Sequence, residues 1–175
     1  MPVEIKELQV KALPGEAASD VFLHVQTKRA GKIKGEVTTE GHKDDIAVFT
    51  WAWGVSANTA IGSTVATARR AYRHLVLTKG IDSASTGLLS ALVSNDEVRE
   101  ATLTLRKGGG KALDYFRMVL KDARIVAVDI EVHPDGRPVE RVSIAFMKIE
   151  IEYQPQQAAG IGAGAYTFTD EVLPS

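Results

Sequence analysis

The four histidines, His24, His42, His74 and His133, are the side chains best suited to hold a metal or move a proton near neutral pH. They fall in four different stretches, and no spacing sets two of them together as metal ligands. The nearest approach to a site is His42-Lys43-Asp44-Asp45. Aspartates in such a polar stretch bond their own backbone and shape turns, so Asp44 and Asp45 read as turn residues and all four histidines as surface or turn residues. Gly108-Gly109-Gly110-Lys111 has part of a phosphate loop's composition, but Leu105 stands where its first glycine is required and Ala112 where Ser or Thr must follow the lysine. Gly160-Ile161-Gly162-Ala163-Gly164 lacks the helix and acidic partner of a dinucleotide site. No Gly-x-Ser-x-Gly elbow occurs, and no pair of carboxylates stands out for acid–base work. With no cysteine there is no thiolate chemistry and no disulfide. The chain is expected to carry no catalytic group, cofactor or metal.

Charge points the same way. A formal net charge of −1 creates no field that would draw nucleic acid or an anionic membrane. Two basic clusters exist, Lys28, Arg29, Lys32 and Lys34, and Arg69, Arg70, Arg73 and Lys79. Single-stranded nucleic acid wants aromatic platforms interleaved with such charge, and only Tyr72 qualifies. Both clusters read as solvated faces or subunit contacts. No run approaches the ~20 apolar residues that span a bilayer, and 1–20 lacks the apolar core of a signal peptide. The protein is expected to begin in the cytoplasm and, if exported, to leave without a cleavable signal.

The elements that must position any site are mostly strands. Phe49, Trp51 and Trp53 alternate along His42–Gly54 and share one face of a strand; they are expected in the core. Thr50, Ala52 and Gly54 share the other, small and smooth, as suits a cavity or a passing partner. Asp20–Thr27 reads as a strand, 55–68 as a long polar loop, and Arg70–Thr78 as a strand. The period then changes: Asp82–Thr86 offers N-cap residues, and Leu88, Leu89, Leu92 and Val93 make one stripe of a short helix. Strand alternation resumes with Ala101, Leu103 and Leu105, and the glycines after Lys107 turn a hairpin. Ala112–Ile130 is too long for one regular strand, and its change of parity predicts a bulge or bend near Asp122. Pro134-Asp135-Gly136 is a turn. Parity flips again between Phe146 and Met147, as where one strand serves two sheets. From Gln154 the composition predicts a flexible tail. Seven or eight strands and one helix predict an antiparallel β-barrel with one short flanking α-helix, since closure removes exposed edges.

Five collinear blocks resemble hemolysin-coregulated protein, Hcp, the tube-subunit family of bacterial type VI secretion systems. They are Ile33-Lys34-Gly35-Glu36 with His42–Ile46 and Trp51-Ala52-Trp53-Gly54; Leu77–Asp82; Leu103–Lys107; Glu140–Phe146; and Ile151–Gln156. They span about Asp20 to Gln157, which divides the chain into an N-terminal extension (1–19), an Hcp-like barrel (20–157) and a Gly/Ala-rich tail (158–175). Thr86-Gly87 departs from the Ser-Pro common at that point. The resemblance implies a homo-oligomer, a hexameric ring stacked into a tube, exported through the type VI apparatus and holding effector cargo in its channel. Sheath, spike and effector proteins are the implied partners, with no nucleic acid and no membrane insertion. On this reading Thr50, Ala52 and Gly54 face the channel, and 55–68 with the basic turn near Lys32 contributes to stacking. A tail-tube protein of a phage-like contractile particle is the nearest alternative; a nucleic-acid-binding β-barrel is an alternative of a different class.

Overall fold

Three changes of strand parity mark the places where the chain passes between sheets, and these passages close the fold. The computed structural model describes residues 19–58, 69–108, 113–155 and 164–172. Among them are twelve strands and one helix: β1 Ser19–Thr27, β2 Gly31–Lys32, β3 Ile46–Val48, β4 Thr50–Ala52, β5 Val55–Asn58, β6 Arg69–Tyr72, β7 Leu75–Lys79, α1 Ser85–Val93, β8 Val98–Lys107, β9 Leu113–Val132, β10 Pro138–Ala145, β11 Lys148–Tyr153 and β12 Tyr166–Glu171. Every pairing is antiparallel.

The first passage lies in β9. Its first half pairs with β8 and β11, its second half with β10. Met118 and Leu120 point inward before the passage, Ala123 and Ile125 after it. Asp122, between them, has φ 48°, a left-handed kink that bends the strand. The register against β8 is unbroken across it, with Glu100 opposite Lys121 and Val98 opposite Ala123, so the expected irregularity is a bend and not a bulge; β9 shifts register further on, where Ser143 faces Ala127 and Ile144 faces Ile125. The second passage lies between Phe146, buried, and Met147, exposed, where β10 ends in one sheet and β11 begins in the other.

The third passage corrects the expectation for Phe49. β3 pairs with β1 and buries Ile46 and Val48, whereas β4 pairs with β7 and turns Trp51 inward. Phe49 is the residue at the change of sheet, its amide donating to the Thr78 carbonyl at 2.8 Å. Parity resets there, so Phe49 does not share a face with Trp51 and Trp53 and stands 63% exposed. The path from β1 through β8, β9, β10 and β7 to β4 returns to β1 through β3, which closes the barrel. Leu23, Ile46, Leu77, Leu103, Leu120 and Ile144 are among the side chains that fill it.

Other expectations are revised. Val55–Asn58 is a strand, paired with β6, and not loop; the rest of that loop lies outside the described residues, as do 1–18, Gly109–Lys111 and Gly160–Ala163. Arg70–Thr78 is two strands, not one. The tail contains β12, paired along its length with β11. In α1, Leu88 is buried and Leu92 packs on the core, but Leu89 and Val93 face solvent and Ala91 takes their place. No side chain caps the helix directly; Asp82 accepts the Ala84 amide at 2.9 Å, and the left-handed Asn95 follows its end.

Candidate functional surface

The outer face of the β10–β7–β4 sheet carries the residues that the sequence set opposite the tryptophans. Register places Thr50, Thr78, Arg141 and Asp129 in one row across the strands and Ala52, Val76, Ser143 and Ala127 in the next. Thr50 and Ala52 are exposed, and the hydroxyls of Thr50 and Thr78 bond at 2.6 Å. Ala52's row has no side chain larger than valine. Behind the sheet, the Trp51 ring stacks on Phe116 with centroids 5.9 Å apart, and Trp53 stacks on Tyr72 at 6.2 Å. Both tryptophans are half-buried against the core.

Gly54 departs from its expected place. Its carbonyl accepts the Arg73 amide at 2.9 Å, and the Arg73 guanidinium lies over its Cα, so that any Cβ at 54 would collide with it. A glycine here is the seat of an arginine, and the charge rather than bare backbone faces outward. Arg73 and His74 then flank Ala52, Trp53, Tyr72 and Val76 around an open groove of about 590 Å³.

The hairpin β5–β6 that carries this charge is fastened to β12. Asp170 accepts a hydrogen bond from the Tyr72 hydroxyl and pairs with Arg70 at 2.9 Å. Burial pushes the Tyr72 hydroxyl above its ordinary pKa and the Asp170 bond adds to this; the same bond, with Arg70, holds Asp170 below the carboxylate range.

The remaining charges brace the barrel. Lys79, assigned by sequence to a solvated cluster, is fully buried, because β7 turns it inward beside Glu140 of β10. Its ammonium pairs with Glu140 and with Asp82 at 2.8 Å, while the Ser85 hydroxyl donates to Glu140 at 2.7 Å. The start of α1 is thereby tied to two strands. Lys32 pairs with Asp45 at 3.0 Å. His42 is buried rather than a surface histidine. Its ring stacks on Phe22 at 4.3 Å, Nδ1 lies 2.9 Å from Asp45 and Nε2 lies 3.0 Å from Asp114. His24 lies 3.1 Å from the other Asp45 oxygen, while His74 and His133 are exposed. Asp45 is thus a buried hub and not a turn residue bonding itself. Burial raises the Asp114 pKa, but the Arg106 guanidinium at 2.7 Å and His42 outweigh it and hold the carboxyl low. His42 and Asp114 are 72 residues apart in sequence, and only the fold brings them together.

Comparison with known proteins gives the same answer as the strands. A family model described as "Type VI secretion system effector, Hcp" matches residues 22–153. Protein hcp1 of Pseudomonas aeruginosa is 30% identical over 151 residues, covering 84% of this chain and 90% of the relative. Hcp1 of Salmonella typhimurium superposes with a TM-score of 0.69 at 25% identity, covering 88% of this chain and 94% of that one. Hcp1 of E. coli EAEC 042 shares the fold with a TM-score of 0.73 at 22% identity, over 89% of this chain and all of that one (100%).

Proposed function

This chain belongs to the Hcp family of type VI secretion system proteins, and from that premise we propose that its copies close into hexameric rings stacked as the inner tube of the machine. The family is one of structural tube proteins, not enzymes. The subunit is made in the cytoplasm, builds the tube within the sheath beneath the spike, and leaves through the apparatus carrying effector cargo in its channel.

One observation supports this reading above the rest: a barrel wall whose rows around Thr50 and Ala52 are exposed and, in Ala52's row, built of small side chains. A surface of that kind lines a passage without obstructing it. A closed ring also needs two unlike surfaces that meet head to tail. Exposed apolar side chains stand near both ends of the bent β9: Ile130 and Val132 at its exit, Tyr153 on β11 paired with its entry, and Tyr166 and Phe168 on β12 beyond β11.

The test is substitution at Ala52. Ala52→Arg and Ala52→Gln put bulk on the exposed face and leave the core alone. Rings of either variant are expected to form with unchanged thermal midpoint but to lose retention of co-purifying effectors. Loss of the fold in Ala52→Arg would place this face inside the protein and overturn the assignment.

A further inference from the structure

The groove beside Ala52 is one-sided in charge. Arg73 and His74 are both exposed, and neither pairs with a carboxylate among the described residues, whereas Arg70 next door is neutralised by Asp170. The connection 59–68 between β5 and β6 contains no acidic residue. The outer rows nearest the groove supply none either: Ala52, Val76, Ser143 and Ala127 are all uncharged, and Asp129 and Glu131 lie further along beside Arg141. Among the described residues β4, which borders the groove, is paired on one side only, by β7.

We propose that this groove binds an extended, carboxylate-bearing segment of the cargo, with Arg73 as the recognising charge. The proposal rests on the channel reading above and adds the chemistry of what the channel holds. A guanidinium is permanently charged, weakly hydrated and shaped to meet a carboxylate with two parallel hydrogen bonds. Gly54, with no Cβ, leaves room for that guanidinium against the wall. Ala52 and Val76 leave room for a main chain to approach, and the His74 imidazole adds a second polar contact. The basic residues that the sequence grouped together therefore do different work: Lys79 is buried, Arg70 is a brace, and Arg73 remains to receive a ligand.

The experiment uses the full chain and four labelled probes of equal length: a Glu-Ala repeat peptide, a Gln-Ala peptide, a Lys-Ala peptide and single-stranded DNA. Fluorescence anisotropy is read from about 0.05 to 0.3 M salt, and light scattering records particle mass for each variant. The Glu-Ala peptide is expected to bind at least roughly tenfold tighter than the others and to weaken with salt. Arg73→Gln removes the preference. Gly54→Ala, which keeps the charge but displaces it, reduces it. Equal binding of the Gln-Ala peptide, tighter binding of DNA, or an Arg73→Gln variant that binds as before overturns the proposal. So does an Arg73→Gln variant that no longer forms the wild-type particle, which would make Arg73 a subunit contact. A chain that never forms rings yet binds the acidic peptide through Arg73 contradicts the channel reading alone; rings without the preference contradict this proposal alone.

Discussion

At the scale of single residues, exposure separates side chains that the sequence grouped together. Phe49 and Trp51 are both aromatic and two apart, yet one stands in solvent and the other packs on Phe116. In chemical denaturation Trp51→Ala is expected to cost about 2 to 4 kcal/mol and Phe49→Ala under about 1 kcal/mol. Equal costs would show that the parity reset at Phe49 is wrong. Period-two reading found the tryptophan face because alternation holds within β4. It failed one residue earlier because alternation carries no mark of a change of sheet. A second residue-scale prediction concerns acid. Burial raises the Asp96 carboxyl, but the amides of Arg29 and Ala30, at 3.1 and 3.2 Å, hold it below its ordinary value. A depressed carboxylate stabilises the fold above its unfolded pKa of about 3.9 and loses that contribution as pH falls through its lower folded value. Asp96→Asn is expected to lower the thermal midpoint at neutral pH and to flatten its decline below about pH 4. A variant whose midpoint tracks the parent at every pH would contradict this.

At the scale of elements, the fold depends on polar ties as much as on its apolar interior. The buried Lys79–Glu140 pair joins β7 to β10 and, through Asp82 and Ser85, to the head of α1. Removing one partner strands the other charge. Lys79→Met is expected to destabilise by about 3 to 5 kcal/mol, whereas Lys79→Met with Glu140→Leu regains most of it. Urea titrations of the single and double variants give the comparison; a double variant as weak as the single would show that the pair is not the source. The sequence revealed the bend at Asp122, the turn at Gly136 and the helix, because a change of parity, turn formers and a change of period are local signals. It hid β12. Tyr166 and Phe168 alternate with Thr167 and Thr169, but the glycines before them drew that strand into a tail. It also hid the burial of Lys79 and the Asp45 hub, since nothing local tells a lysine which way its strand will face.

At the scale of the whole molecule, the barrel is closed but its surface is not self-sufficient. Val132 and Tyr166 are each 69% exposed, and apolar side chains left in water on β9 and on β12 suit a subunit that meets copies of itself. The candidate channel face was legible in part. Thr50 and Ala52 were recognised as a smooth face, while Gly54 proved to lie under Arg73 and to lend that face a charge. Five sequence blocks identified the family because they keep their order along the chain, whereas ring size depends on the angle between neighbouring subunits, which no residue spacing encodes. The most direct measurement is therefore the mass of the purified chain by light scattering, with negative-stain images of the same particle. A mass six times that of one chain, in six-fold annuli with an open centre, is the predicted result. A monomer at high concentration, with no annular particle in any buffer, would contradict the account.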